Sequence, residues 1–317
     1  MRRCVVSIDW RLAAAGWPGG QLYLLDLDRF GEPGGVLDHF VGDLEPDSLL
    51  GPGGWTGFRG VLFDGPGAVV VADADALRRF TLEGNRLRFD KAWTTRRFYD
   101  IHDIFPDPKG RGWWLSATDS DECVLVRPWR GRFLLEHIEV WEALRERALL
   151  PDRNQQPPGH DRWHINSVAF GPDGSRWALL HTSGRIVRFG PGPVRVLDHR
   201  CNGGHSIRVA PGGEVIVLHT GAEAVAVLNQ AGKVLRRVEC SGYVAGERID
   251  PRTGKKAVSG WLRGCCVLDE RLLLCGTSPA QLFLVDYQAG RVEGVWQLDD
   301  DVRASTFGIA VEPAGAP

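Results

Sequence analysis

Two short segments place a histidine beside other polar residues where an apolar run begins. The segment DRWHINSVAF contains His164 and Asn166, and YDIHDIF contains His102 followed by Asp103. Neutral imidazole binds divalent metal ions, and a histidine beside a carboxylate can transfer a proton in acid–base catalysis. These segments predict a chemical site. The alternative is that each histidine is only a hydrogen-bonded residue at the entrance of a strand.

The composition is typical of a protein built from many short strands. The 317 residues include forty Gly, nineteen Pro and one Met, and turn residues interrupt the apolar stretches. A formal net charge of −2 gives no sign of a nucleic-acid or membrane partner. No apolar stretch reaches the roughly 18 residues of a membrane span. The glycine-rich turns lack the setting of a nucleotide site, so no nucleotide cofactor is expected.

A repeat emerges when the sequence is aligned on its turns. Each copy has a short apolar strand, a Gly or Pro turn and two further strands. The strands missing from the last copy can be supplied by CVVSIDW, QLYLLDLDRF and GVLDHFV at the other terminus. This predicts an all-β fold: a six-bladed β-propeller in one domain, residues 1–317, closed by strands from both termini. The copies begin near Gly57, Asp100, Ile165, His205, Arg263 and Thr306.

Two intervals between copies carry about 20 extra residues relative to a blade of about 40–45. The first insertion, about residues 140–162, contains VWEALRERALL, whose apolar spacing predicts a short helix. The second, about residues 240–260, is polar and rich in glycine. Both connect the outer strand of one blade to the inner strand of the next. We expect them over the axial face, where they could form a lid.

The first strand of each propeller blade lines the central channel, so its opening residue faces the axis. Polar groups from several blades should therefore converge at one end of the channel. The connection after each second strand returns to the same end and forms its rim. The six opening residues are Arg59, His102, Asn166, His205, Arg263 and Phe307; His181, His219 and Asp161 are predicted at the rim.

The converging side chains could perform two kinds of chemistry, which can coexist. Histidines could hold a divalent metal ion, with Zn, Mn, Fe or Ca unresolved, or could act with a carboxylate as acid and base. Arginines could hold an anion, or could pair with Asp100 or Asp103 and only plug the channel. The predicted catalytic residues are His102, His164, His205 and Asp103. The three histidines are also the predicted metal ligands. The predicted substrate-binding residues are Arg59, Asn166, Arg263, Trp261 and Trp163.

The segments YDIHDIFPD and DRWHINSVAF resemble an uncharacterised bacterial family of six-bladed propeller-like proteins. Its marks are an (I/V)HD(I/L) strand and a DRxHxN(S/G)(L/V) strand. The resemblance implies a fold more than an activity. The positions that it identifies are His102, Asp103, Asp161, His164 and Asn166.

By architecture the chain is more distantly similar to the gluconolactonase, senescence-marker and paraoxonase group, six-bladed calcium or zinc enzymes that hydrolyse lactones and esters. It is also similar to strictosidine-synthase-like proteins, which lack that metal chemistry. The first group holds its axial metal with acidic and Asn side chains, and here only Asn166 resembles that set. Calcium prefers oxygen ligands, so neither that metal nor lactonase activity is carried over.

Two functions follow as expectations. The first is an enzyme of the hydrolase or lyase type that acts on a small anionic molecule; the second is a non-catalytic scaffold or sensor that binds a ligand or protein on the same face. Asp9 and Arg11 interrupt the apolar run near the start, so a signal peptide is not expected. The seven cysteines lack the paired spacing of a disulfide framework, which favours thiols in a reducing cytoplasm.

Overall fold

The computed structural model describes the chain apart from residues 12–19, 43–54, 74–75, 95–99, 130–131, 139–162, 182, 191, 202, 245–260, 302 and 314–317. The helix predicted near residue 145 and most of the second insertion therefore lie outside the described residues. Asp161 also lies outside them. The position of the two insertions over the axial face stays a prediction.

The described residues form twenty-five strands. The first twelve are β1 (Arg3–Arg11), β2 (Gln21–Asp26), β3 (Val36–Val41), β4 (Trp55–Gly57), β5 (Val61–Phe63), β6 (Ala68–Ala72), β7 (Ala76–Glu83), β8 (Arg86–Thr94), β9 (Ile101–Pro106), β10 (Trp113–Ala117), β11 (Glu122–Trp129) and β12 (Arg132–Ile138). The others are β13 (Ile165–Phe170), β14 (Arg176–Leu180), β15 (Arg185–Phe189), β16 (Arg195–Arg200), β17 (Ile207–Val209), β18 (Val215–His219), β19 (Ala224–Leu228), β20 (Val234–Glu239), β21 (Cys265–Val267), β22 (Leu272–Thr277), β23 (Gln281–Asp286), β24 (Arg291–Gln297) and β25 (Ala304–Val311).

The strands form six antiparallel sheets, and each sheet is one blade of a propeller. Blades 1 to 5 are β5–β8, β9–β12, β13–β16, β17–β20 and β21–β24, each ordered from the inner to the outer strand. Blade 6 has the order β25, β1, β2, β3, so strands from both termini close the ring, as predicted. The short strand β4 pairs with β1 and was not predicted. Each inner strand contacts the next inner strand, and the series closes from β25 to β5.

The hydrophobic core is divided into six clusters, and each cluster fills the space between two neighbouring blades. The cluster between blades 1 and 2, for example, joins Val70 and Leu77 to Trp113 and Leu115. Trp113, Trp114 and Trp177 are buried and each belongs to one of these clusters. A blade of four strands has two faces to cover, so closing the ring removes the last uncovered faces.

Register shifts place the opening residues of three inner strands in the axial channel. In β9, Asp103 pairs with Ser116 and Ile101 with Ala117, which leaves His102 as an extra residue. Asn166 is the extra residue of β13 in the same way, and in β25 Phe307 and Gly308 lie opposite one residue of β1. Such bulges redirect a side chain while the strand continues. Here they turn polar and aromatic groups towards the axis.

The inner strands approach one another closely just below these opening residues. Gly60, Gly264 and Gly308 each follow an opening residue, and a side chain at any of them would meet the backbone of a neighbouring inner strand. A Cβ at Gly60 would lie 2.7 Å from the backbone nitrogen of Ile104. The channel is therefore narrow at this level, which separates its two mouths. We call the end with the opening residues the histidine mouth.

Regular helix is limited to three 3-10 turns in the described part of the chain: Leu27–Arg29, Thr220–Ala222 and Ser241–Tyr243. Within that part, no helix has the length and apolar character needed to cross a membrane. All seven cysteines lie in described segments, and none is in a disulfide there. Cys265 and Cys266 lie in β21, the inner strand of blade 5.

Candidate functional site

The histidine mouth is a closed cycle of aromatic rings and cations around the axis. Neighbouring ring centroids lie 5.4 Å apart for Phe307 and His102, 5.1 Å for His102 and His164, and 4.9 Å for His164 and His181. His181 lies 4.8 Å from His205, and His205 lies 6.1 Å from Trp261. Arg263 closes the cycle between Trp261 and Phe307. Six of the predicted site residues, His102, His164, His181, His205, Trp261 and Arg263, thus lie in one cycle of successive contacts.

A hydrogen-bonded chain crosses one side of the mouth. Arg59 pairs with the Asp100 carboxylate, and its Nε lies 3.9 Å from Oδ2 of Asp9. Asp100 Oδ2 also lies 3.1 Å from Nε2 of His102, whose Nδ1 donates to Asn166 Oδ1 at 2.6 Å. Arg59 is therefore held between two carboxylates. Arg59 thus forms the pair with Asp100 that was the alternative to its predicted role in substrate binding, and its charge is largely neutralised.

Two opposing effects act on the protonation of His102. Its contact with Asp100 favours a second proton, but burial has the larger effect. Asn166 Nδ2 donates to Gly204 O, so its Oδ1 must accept from His102 Nδ1. A neutral His102 then directs the Nε2 lone pair at Asp100, and only a second proton turns this contact into a hydrogen bond. Burial lowers the pKa of His102 to about 4, while Asp100 opposes the shift. Burial acts in the opposite direction on Asp100, yet His102 and Arg59 hold the pKa of Asp100 below its ordinary range.

His205 is fixed in one tautomer. Its Nδ1 donates to Gly203 O and to Thr220 Oγ1, each at 2.8 Å, and Thr220 donates in turn to Leu262 O. The Nε2 atom therefore carries the lone pair and has no hydrogen-bond partner among the described residues. Burial, followed by the charge of Arg263, holds the pKa of His205 well below its ordinary value. This nitrogen can accept a proton or ligate a metal ion.

His181 has the same tautomer as His205. Its Nδ1 donates to Gly204 O at 3.3 Å, so Nε2 carries the lone pair. The two rings are adjacent, and both are anchored to the backbone segment that contains Gly203 and Gly204. Two imidazole lone pairs are thus held in neighbouring positions by one turn.

His164 has an uncommon backbone conformation. Its φ is +52°, and the equivalent residue of blade 2, Asp100, has a φ of +58°. Gly57 and Gly203 have positive φ at the equivalent places in blades 1 and 4. A non-glycine residue keeps this conformation only where its surroundings impose it. For His164 the constraint is Asp121, whose carboxylate accepts from the backbone nitrogens of Trp163 and His164 at 2.8 to 2.9 Å.

Arg263 is sandwiched between two aromatic rings. Its guanidinium carbon lies 5.1 Å from the ring centroids of both Trp261 and Phe307. Stacking covers the faces of a guanidinium and leaves its N–H groups to donate in the plane. Arg263 therefore has a different setting from Arg59, because two aromatic rings flank its guanidinium group. An anion that reached this plane would be bound by a planar fork of donors.

Three predicted site residues lie away from the cycle. Asp103 forms an ion pair with Arg208 at 2.8 Å and accepts from Ser167 Oγ at 2.5 Å, below the mouth. Trp163 is buried in the core between blades 2 and 3. His219 pairs with His199, with 2.8 Å between their Nε2 atoms. The structure thus assigns Asp103 to an ion pair within the channel rather than to the histidine cluster.

His181 and His219 differ because their blades differ in register. Both lie in an LHT sequence at the end of the second strand and were predicted at equivalent rim positions. In blade 3 the register shift at Asn166 precedes His181. In blade 4 the pairing of β17 with β18 has no shift, and His219 remains in β18. A shift of one residue reverses the face to which a side chain points, which explains the different positions.

Sequence reasoning missed several residues that position the site. Asp121 lies in the turn ATDSD and Thr220 in the segment LHTGA, and neither was among the predicted site residues. One signal was available: Thr118 and Thr220 follow equivalent strands, and their hydroxyls donate to Ile165 O and Leu262 O in the next blade. No signal in the sequence paired His199 with His219 or Arg208 with Asp103.

The mouth has a buried level and a partly exposed level. The six opening residues are all less than 9% exposed, whereas His164, His181 and Trp261 are partly exposed above them. A ligand from solvent would meet this outer level first.

No group of three or more His, Cys, Asp or Glu is placed to hold a metal ion within the part of the chain that the structure describes. Both ring nitrogens of His102 already contact oxygens, so the predicted metal site stays a prediction.

Comparisons with known proteins identify the fold and no family. No protein family matches the sequence, and no curated protein matches it either. A protein of unknown function from Bacteroides caccae is 13% identical, with a TM-score of 0.59 over 98% of this chain and 99% of that chain. A chain of the nidogen/laminin complex is 12% identical, with a TM-score of 0.61 over 98% of this chain and 100% of that one.

A third solved structure is that of a catalytically inactive virginiamycin B lyase from Staphylococcus aureus with quinupristin. It is 11% identical, covers 78% of this chain and 72% of its own, and has a TM-score of 0.49. At such identities the likeness extends to the fold alone. The family resemblance suggested by the two histidine motifs therefore stays a prediction.

Proposed function

We propose that the histidine mouth binds a small anionic molecule and exchanges a proton with it, which makes the protein an acid–base enzyme of the hydrolase or lyase type. The observation that carries this proposal is the pair formed by Arg263 and His205. Arg263 offers in-plane donors between two aromatic rings, and His205 has the fixed tautomer described above. A fixed cation beside a fixed base is suited to bind an anion and to move its proton.

The charges of the mouth also favour an anion. The positive charge of Arg263 acts on His205, because after burial it is the next largest cause that lowers the pKa of His205. An anion at Arg263 would reduce this effect and raise the pKa of His205. Binding would therefore be accompanied by proton uptake, so that a neutral base becomes an acid in the complex.

His164 and His181 are the proposed first contacts for the ligand. Both are partly exposed, and His181 carries the lone pair at Nε2. The chain of imidazoles from His164 to His205 offers a route by which a proton could be exchanged with solvent. A divalent metal ion would add Lewis acidity but is not needed for this proposal.

The test is calorimetric titration with phosphate, acetate and benzoate in buffers of different ionisation enthalpy. We expect at least one anion to bind with a buffer-dependent enthalpy, which reports proton uptake. His205→Gln should remove that dependence, and Arg263→Gln should weaken binding by about tenfold or more, since charge-assisted hydrogen bonds are among the strong ones. His39→Gln is the matched control, because His39 stacks on Tyr23 in blade 6.

Saturable binding that is equal in wild type, His205→Gln and Arg263→Gln would refute the proposal, and so would the absence of binding by all three anions. Binding without turnover in a screen of anionic esters and lactones would instead favour the alternative, a non-catalytic sensor or scaffold. Metal analysis of the purified protein tests the predicted divalent ion.

A further inference from the structure

The inner strands end at the opposite side of the propeller in a second, chemically different cavity. Its volume is about 620 Å³, and residues from the C-terminal ends of all six inner strands line it. We call it the apolar mouth and define it by Phe63, Phe105, Phe170, Val209, Val267 and Val311. Its volume falls within the range of about 300–1,000 Å³ that is usual for small-molecule sites.

The apolar mouth is closed off from the histidine mouth. Arg208 and Asp103 form an ion pair across the channel, and Ser167 Oγ donates to Asp103 at 2.5 Å. At the same level a Cβ at Gly60 would lie 2.9 Å from the Cα of Asp103, so the inner strands touch there. A ligand in one mouth would not meet the residues of the other.

The one basic residue in the lining of the apolar mouth is already neutralised. Arg208 Nη1 and Nη2 donate to the two carboxylate oxygens of Asp103, at 2.8 and 3.2 Å, and Nε donates to Cys265 O. Nη2 makes no second hydrogen bond to a described residue. The lining carboxylate of Asp107 is paired with Arg111 at 2.9 Å, so the apolar mouth offers little net charge but retains one N–H donor.

The rim of the apolar mouth is rigid. It contains five prolines: Pro106, Pro108, Pro172, Pro211 and Pro313. Proline restricts φ, so a rim that contains five of them loses little conformational entropy when a ligand binds. Phe105 and Phe170, whose ring centroids lie 5.4 Å apart, line the cavity and are partly exposed, while they also pack against the core between blades 2 and 3. Covering them would remove apolar surface from water.

We infer that the apolar mouth is a second binding site, for a small, uncharged, largely apolar molecule with one hydrogen-bond acceptor. The apolar lining selects an apolar body, the neutralised Arg208 gives an ionic group no advantage, and the remaining N–H of Nη2 suits a single carbonyl or hydroxyl oxygen. This site is independent of the function proposed for the histidine mouth.

The test is a fluorescence titration with the uncharged probe 6-propionyl-2-(dimethylamino)naphthalene, whose carbonyl oxygen can accept from Arg208. We expect one saturable site, weakened by about tenfold or more in Val209→Asp and in Val267→Asp, because each buries a carboxylate under the probe. Val209 and Val267 belong to different blades, so one variant supports the other. The matched control is Val234→Asp in blade 4, where Val234 is 44% exposed on the outer strand. Circular dichroism verifies folding, and Val209→Thr replaces any aspartate variant that does not fold.

Three results would overturn the inference. The first is the absence of saturable binding. The second is an affinity that both lining variants leave unchanged. The third is a loss of binding in His205→Gln, which would place the probe at the histidine mouth. Tighter binding of the anionic probe 1-anilinonaphthalene-8-sulfonate at the same site would refute the selection of an uncharged ligand.

Discussion

The carboxylate of Asp121, in the turn between two strands of blade 2, accepts a 2.8 Å hydrogen bond from the backbone nitrogen of His164, at the entrance to blade 3. It also accepts from Trp163. Asp121 thereby joins two blades and holds the backbone of a histidine in its left-handed conformation. One turn residue thus controls how a neighbouring blade presents its side chain to the axis.

Asp121→Asn is expected to lower the free energy of unfolding by about 1–3 kcal/mol, because an amide group facing two backbone N–H groups leaves one of them unsatisfied. Urea unfolding measures this change. Glu122→Gln, at the next position, is the control and should stay within about 0.5 kcal/mol of wild type. Equal stability of the two variants would show that the hydrogen bonds accepted by Asp121 contribute nothing to the free energy of unfolding.

Thr220→Val is expected to weaken anion binding at the histidine mouth by about tenfold, because His205 loses the acceptor that helps to fix its tautomer. Thr118→Val is a matched control, since Thr118 makes the equivalent bond to the next blade but has no bond to His205. Both variants should lose similar stability. If they also bind the anion equally well, the tautomer of His205 does not matter for binding.

Stability should fall as the pH falls from about 6.5 to about 4. Burial lowers the pKa of both His102 and His219 to about 4, whereas an unfolded chain has histidine pKa values of about 6.5. The unfolded state then binds more protons than the folded state, so acid favours unfolding in this window. In His219→Gln, the loss of melting temperature between pH 7.5 and pH 5 should be smaller than in wild type. Leu235→Gln, at an exposed position, should retain the wild-type pH dependence; parallel curves for His219→Gln would contradict the prediction.

Gly60→Ala should destabilise the propeller by about 1–3 kcal/mol, because the added methyl group would overlap the backbone of Asp103 and Ile104 in the next inner strand. Gly242→Ala is the control, since a Cβ there would meet no atom within 4 Å. Urea unfolding of both variants tests whether the channel is as narrow as the structure indicates. Unchanged stability of Gly60→Ala would show that the inner strands can separate at little cost.

The architecture could be predicted from the sequence because the repeat is local. Short stretches of sequence show the turns, the apolar strands and the number of strands. The last copy, at Thr306, is incomplete, which indicated that strands from the other terminus complete it. The opening residues of the inner strands could be identified in the same way. A strand begins close to where its turn ends, so the turns indicate the position of each opening residue, while the bulges decide that His102, Asn166 and Phe307 face the axis.

The partners of those residues could not be predicted, because they depend on contacts between blades. His102 and Asp103 are neighbours in sequence, yet the bulge at His102 turns one side chain to the histidine cluster while the other pairs with Arg208. His181 and His219 have the same LHT setting but different registers in their blades. Repeat spacing determines the ring and its order. Only the tertiary structure decides which side chains meet, because a shift of one residue reverses the direction of a strand side chain.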